Sequence, residues 1–234
     1  MSGEFDQLIN GPLLWVLLTL VAYLLALLLH KRFNGNPLLH PVLVSLSVII
    51  VVLLVSGLSY AEYKEATEPL SFMLGPAIVA LAIPLYNNLS RVKELLLPLL
   101  VAMAVGATTA MAVAVAIGYW GGLPDPVLIA IAPKSVTSPI AIEVAAKLGG
   151  FSSLAAGLVL VTGAMSCMLA PLVFKLLKLD DPAAKGFVLG VSGHAMGTAF
   201  AFQYGAVAGA FAGLAMGVTG AFTAFLLPLL WSLI

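Results

Sequence analysis

Pro133-Lys134-Ser135-Val136-Thr137-Ser138-Pro139 places a lysine, three hydroxyls and two prolines inside an otherwise apolar run, 127–144. A lysine near the middle of a bilayer costs about 3 kcal/mol on insertion scales, so its presence there asks for a reason. Pro133 and Pro139 each lack a backbone N–H and clash with the carbonyl four residues back, which frees the carbonyls of Ile129 and Ser135. Polar backbone set free in lipid must face protein or a watery cavity. The stretch therefore predicts a broken helix lining a polar pocket.

The rest of the composition fits that setting. Hydrophobic residues make up 62% of the 234 and charged residues 9%, with ten Lys and Arg against ten Asp and Glu. Soluble domains carry roughly 25% charged residues, so this chain has too little polar surface for water and reads as an all-α integral membrane protein. Phosphate recognition needs clustered Lys and Arg, which are lacking, so nucleic acid is not an expected partner. The lone Cys167 lies in an apolar run away from any zinc-ligand spacing; it reads as a packing residue, and neither metal nor cofactor is expected. Glu4 and Asp6 precede the first apolar run with no Lys or Arg, so no signal peptide is expected.

About 20 apolar residues cross a hydrocarbon core of about 30 Å. On that measure the chain holds about seven to eight transmembrane segments, near 12–29, 38–55, 70–86, 95–118, 127–148, 154–174, 186–204 and 207–233. Asn34-Gly35-Asn36-Pro37 and Gly121-Gly122-Leu123-Pro124-Asp125-Pro126 carry turn chemistry between them, and Asp181-Pro182 reads as a cap followed by proline in a first helical turn. The short connections predict one polytopic domain, 1–234, in the lipid bilayer.

Orientation follows Lys and Arg. Lys31, Arg32, Arg91 and Lys93 fall on the cytoplasmic side if Met1 is outside, with Glu62, Glu65 and Glu68 opposite. If every segment crosses, Lys175, Lys178 and Lys185 land outside and the rule fails. If 127–148 dips in, breaks at its prolines and returns, they land inside, leaving Lys64 and Lys147 outside; the re-entrant reading is preferred. A shift of 118 residues lays Gly75, Ala77 and Tyr86 on Gly193, Ala195 and Tyr204, which suggests repeat halves 12–118 and 127–234, inverted if 127–148 does not cross. Inverted repeats with broken helices meeting at the midplane are a common plan of secondary transporters.

Each polar group has a bland reading beside the functional one. In the first motif, Ser135 capping a half-helix from Val136, or Ser138 capping one from Pro139, would put a helix N-terminus beside Lys134 and make an anion site. The alternative is a kink whose lysine snorkels to an interface. In Ser192-Gly193-His194-Ala195-Met196-Gly197-Thr198, His194 and Thr198 share a helix face and could meet a carboxylate or carry a coupling proton; a histidine held by a neighbouring carbonyl is the plain alternative. From Gly193 a small residue recurs every fourth position through Gly197, Ala201, Gly205, Gly209, Gly213, Gly217 and Ala221, which suits close helix packing. Pro76 and Pro84 read as breaks in the third segment. Glu143 is interfacial, or else a buried partner of Lys134 that takes part in coupling.

With these residues in view, the chain resembles the LrgB/CidB family of bacterial membrane proteins, which also includes the C-terminal half of the plant plastid glycolate/glycerate translocator. The matching pieces are Asn36-Pro37-Leu38-Leu39, Gly57-Leu58-Ser59-Tyr60, 74–85, Pro133 to Ala141 and Ser192 to Ala199. Family members often have threonine at Ser138 and alanine-serine-histidine at Ser192-Gly193-His194; the first change keeps a hydroxyl, the second loosens the backbone. The resemblance implies a multi-pass protein of the inner (plasma) membrane that handles small monocarboxylates of the pyruvate, glycolate and glycerate class. It also implies a small holin-like partner of the LrgA/CidA type, and an older reading as a holin/antiholin-like modulator of murein hydrolase export and cell lysis.

The expectation carried forward is a secondary transporter, a homo-oligomer and not an enzyme. Its anion would lie between Lys134, Ser135, Thr137 and Ser138 on one broken helix and His194 and Thr198 on another, with Pro133, Pro139, Gly193 and Gly197 as the breaks. The rival is the holin-like oligomer. An intramembrane Ser135 nucleophile is disfavoured, because adjacent Lys134 points elsewhere on a helix and no third orienting group is present.

Overall fold

The computed structural model describes residues 11–33, 39–80 and 82–232, all helix and connection with no strand among them. The acidic N-terminus and the Asn34–Pro37 turn lie outside the described residues. The helices form two compact units, Met1–Ala80 and Leu81–Ile234.

In the first unit, α1 (Pro12–Arg32) packs along α2 (Pro41–Ser56), and each starts with proline in its first turn, where a missing N–H costs nothing. Gly57, at φ 70°, ends α2 in the left-handed region that glycine tolerates. The chain then bends by 118° into α3 (Tyr60–Ala66), which opens with a reciprocal Ser59–Glu62 capping box. Tyr63 returns to α1, its hydroxyl 2.8 Å from the Thr19 hydroxyl and its ring edge-on to Trp15. The unit closes with α4 (Glu68–Ala80). Pro76 lies inside that helix instead of breaking it.

The second unit holds α5 (Ala82–Asn87), α6 (Leu89–Glu94), α7 (Leu96–Trp120), α8 (Asp125–Ile131), α9 (Ser138–Leu148), α10 (Ser152–Leu176), α11 (Pro182–Ala201), a 3-10 turn (Phe202–Tyr204) and α12 (Ala206–Trp231). Pro84 likewise sits within α5. Asp181 caps α11 as its sequence suggests, its carboxylate accepting from the Ala184 amide at 3.0 Å.

Two features of this unit set its architecture. The first is that α8 and α9 form a hairpin. The Phe151 amide, just past α9, donates to the Pro126 carbonyl at the start of α8 at 3.3 Å, so the chain leaves where it entered. Gly150 is in that corner because a Cβ would come within 2.6 Å of the Ile129 side chain. The second is that α11 folds back at His194, whose φ of 44° and ψ of −130° are not helical. In a straight helix Leu189 and Gly197 would be about 12 Å apart along the axis. Instead a Cβ on Gly197 would come within 2.1 Å of the Leu189 carbonyl oxygen. Farther down, Tyr204 lies against Phe174 and the Lys185 ammonium at the base of the first arm.

The hairpins enter from opposite ends. Helix α10 has 25 residues, about 37 Å of rise, enough to cross a bilayer. It starts at the base of the α8–α9 hairpin and ends at the base of the α11 hairpin. Contacts along it run antiparallel to the first α11 arm: Gly163 meets His194, Ser166 meets Ser192 and Phe174 meets Lys185. Both tips therefore reach the middle of α10. Helix α12 runs parallel to the first α11 arm, Gly186 and Gly190 lying so close to the Ala208 and Ala212 carbonyls that a Cβ would come within 2.0 and 2.2 Å. Residues 125–176 and 182–231 are thus two copies of a hairpin followed by a span, inverted relative to each other.

Among the described residues, five helical stretches are long and apolar enough to cross a membrane, Glu68–Asn87 among them, and the bent pair α2 and α3 raises this to six. Of the seven to eight apolar segments in the sequence, 127–148 is the re-entrant hairpin its prolines lead one to expect, and 186–204 is a second segment that turns back at His194.

Candidate functional site

The α8–α9 tip is built by its prolines. After Ile131 the chain makes two successive turns, with the Lys134 amide donating to Ile131 at 3.1 Å and the Val136 amide to Pro133 at 3.2 Å. Pro133 is fully buried, and Val136 packs with Ile129, Ala141 and Val159. Helix α9 begins at Ser138 with Pro139 in its first turn. Thr137 holds the N-cap position but makes no side-chain cap bond, so the expected Ser135 or Ser138 cap is replaced by an uncapped N-terminus. This anchored turn holds Lys134 and Ser135 toward a cleft of about 340 Å³.

Besides those two, the cleft is lined by Thr162 and Ser166 of α10, Ser192 of α11, and apolar groups including Gly106 of α7 and Val191 of α11. Lys134 is half-buried, its ammonium 3.4 Å from the Ser135 hydroxyl, and the lining holds no carboxylate. Among the described residues the one ion pair is Arg91–Asp181, far along the chain from this tip. The Ser166 hydroxyl donates to the Ser192 carbonyl at 2.9 Å, and the Ser192 hydroxyl donates to Val188 at 2.8 Å. Both oxygens keep lone pairs, and rotation of either hydroxyl could offer a proton to a ligand. The result is one cation among hydroxyls in a largely apolar wall, a setting in which an anion gains charge-assisted hydrogen bonds at low local dielectric.

The remaining site residues fall elsewhere. Thr137 and Ser138 are half-buried and do not line the cleft. His194 is 4% exposed, and its Nε2 is 2.9 Å from the Val159 carbonyl, the plain arrangement for a buried histidine. Its ring lies over Gly163, where a Cβ would come within 2.8 Å of it. Thr198 donates its hydroxyl at 2.8 Å to the His194 carbonyl, one helical turn back. Gly193 packs beside Ser166, and Gly197 against Leu189. Glu143 is exposed and lines a separate depression with Lys147, Ala224 and Pro228, so it does not balance Lys134. No group of three or more His, Cys, Asp or Glu suited to a metal occurs among the described residues.

Sequence reasoning missed Thr162, Ser166 and the cleft-lining place of Ser192. The signal was present, since Thr162 and Ser166 are hydroxyls four apart on one face of an apolar span, where neighbours i and i+4 stack.

Residues 19–233 match the model of the LrgB-like family. The uncharacterized protein YxaC of Bacillus subtilis (strain 168) is 35% identical over 92% of this chain and 93% of its own length. Antiholin-like protein LrgB of Bacillus mycoides (strain KBAB4) and its namesake in Bacillus cereus (strain B4264) are each 31% identical over 93% of this chain and 95% of theirs. None of these names is that of an enzyme class. No solved structure matches the chain at a significant level.

Proposed function

The chain belongs to the LrgB-like family of membrane proteins, and on that premise we propose that it is a secondary transporter of small monocarboxylates. The observation that carries this reading is the cleft itself: an ammonium without a carboxylate partner, ringed by hydroxyls, where two oppositely inserted hairpins reach the middle of a spanning helix. A carboxylate supplies the missing charge, and its size suits a cleft of about 340 Å³. The hairpin-and-span repeat is the plan by which broken helices bind at the midplane while one set rocks against another. Lys134 and Ser135 hold the carboxylate, with Ser166 and Ser192 on the facing wall. Thr137, Ser138, His194 and Thr198 act behind that surface, shaping the tips, and Glu143 stays outside it.

Arg91, Lys93, Lys175, Lys178 and Lys185 belong to the end fastened by Arg91–Asp181, while Lys147 lies at the other. Basic residues favour the cytoplasm, so the α11 hairpin enters from that side of the plasma membrane.

A second reading is favoured by the names of the relatives: an antiholin-like membrane protein that modulates murein hydrolase export and lysis, working as a homo-oligomer or with a small LrgA/CidA-like partner. Purified protein in liposomes separates the two. Transport predicts saturable flux of radiolabelled pyruvate or glycolate that unlabelled carboxylate competes and Lys134→Ala abolishes. Non-saturable release of unrelated small dyes, indifferent to Lys134, would instead favour the holin-like reading.

A further inference from the structure

We infer that a second cleft, at the base of the α11 hairpin, binds the phosphate headgroup of an anionic phospholipid. The cleft, of about 300 Å³, lies between the end of α10 and the α11 base, and is lined by Phe174, Lys175, Asp180, Lys185 and Tyr204 among others. It shares no residue with the Lys134 cleft and stands independently of the transport reading.

Three observations point to the ligand. First, the charges do not balance: Lys175 and Lys185 face the single carboxylate of Asp180, because neighbouring Asp181 is taken by Arg91 at 2.5 Å and by the Ala184 amide. Among the described residues neither lysine has an ion-pair partner. Second, one ammonium is held in place. Lys185 Nζ lies 5.4 Å from the Tyr204 ring centre and 6.0 Å from that of Phe174, two rings themselves packed edge-on at 5.6 Å. Cation–ring attraction draws the ammonium to this place without an anionic partner, and the N–H groups turned away from the rings remain for phosphate oxygens.

Third, the approach to the cleft is greasy. Leu169, Leu172 and Leu176 are 46%, 55% and 72% exposed and recur three and four residues apart on α10, making a stripe that leads along the helix to Lys175. A soluble phosphate has no use for such a stripe. A phospholipid lays its acyl chains along it and sets its headgroup between the lysines, as basic pockets at membrane boundaries do.

The test is native mass spectrometry of the full chain in detergent with phosphatidylglycerol, phosphatidylcholine or inorganic phosphate added. Phosphatidylglycerol adducts should exceed phosphatidylcholine adducts at equal concentration. Each lysine near the surface is worth roughly five-fold in binding, so Lys175→Gln with Lys185→Gln should lower phosphatidylglycerol affinity by more than ten-fold. Lys185→Arg should restore most of the loss, and Lys147→Gln, at the opposite end, should leave affinity within two-fold. If the double variant does not fold, Lys175→Gln alone, at an exposed position, carries the test with a several-fold loss. Equal binding of the two lipids, unchanged affinity in the lysine variants, or displacement of the lipid by an equal concentration of inorganic phosphate would each overturn the inference.

Discussion

The two hairpin tips turn by opposite means. At the α8–α9 tip, two prolines and a pair of tight turns make the reversal, so the backbone is relaxed and Lys134 and Ser135 are free to face a cleft. At the α11 tip one residue makes the reversal: His194 adopts a φ of 44° that a residue with a Cβ rarely accepts, and its ring is committed to Val159. Where the turn is made by proline, side chains remain for a ligand. Where it is made by strain, the side chain is needed to hold the strain in place.

Substitutions that prevent the second hairpin from seating should have the largest effect. Gly186→Val puts a branched side chain where even a Cβ would come within 2.0 Å of the Ala208 carbonyl, and the neighbouring backbone cannot yield. The variant should fail to give monodisperse protein on size exclusion in detergent, whereas Gly217→Val, at a position with nothing within 4 Å, should behave as wild type.

Next in size is His194. His194→Ala leaves the Val159 carbonyl without its partner, for a loss of about 1 to 3 kcal/mol, and keeps the backbone strain that the wild type already carries. His194→Gly loses the same hydrogen bond but removes the strain, so its midpoint in a thermal unfolding scan should lie above that of the alanine variant. A glycine variant no more stable than alanine would mean that the kink is not strained.

Smaller still is Ser166→Ala. It deletes the hydrogen bond to the Ser192 carbonyl, worth about 1 kcal/mol, and one cleft hydroxyl. Flux measured across substrate concentrations should show a several-fold rise in KM beside a drop in thermal midpoint of about 2 to 4 °C. A purely structural serine would lower the midpoint and leave KM unchanged.

The smallest effect belongs to the latch at the hairpin base. Burial nudges the Asp181 carboxyl upward, but the Ala184 amide and the Arg91 guanidinium outweigh it and hold the group below its ordinary 3.8. A depressed carboxyl contributes stability that is complete above the unfolded value and is lost as pH falls through the lower, folded one. Thermal midpoints should therefore drop only below about pH 4, and Asp181→Asn should flatten that drop. Both partners are more than two-fifths exposed, so the change should be slight.

Much of this was legible in the residues. Lysine and two prolines inside an apolar run announce a broken helix with a polar face, and that tip is where they stand. Asp181-Pro182 announced its cap. Lys175, Lys178 and Lys185 favoured a segment that returns to its own side, and the Phe151–Pro126 hydrogen bond shows that return. The second hairpin was hidden, because composition cannot distinguish an apolar segment that crosses from one that doubles back, and the reversal needs only His194. Its ring partner was hidden too, since Val159 offers a backbone carbonyl and any residue type supplies one. Pro76 differs from the expected break: a proline within a helix does not end it when the surrounding turns hold, and α4 continues through it.

Equilibrium binding of radiolabelled pyruvate or glycolate to detergent-purified protein bears most directly on the contrast between the tips. Lys134→Ala should weaken binding by at least ten-fold while His194→Gly stays within about two-fold of wild type, because a desolvated charge-assisted contact is worth about 1.5 to 3 kcal/mol. Unchanged affinity on losing the lysine, together with a large loss on replacing the histidine, would contradict the assignment of the ligand to the proline-built tip.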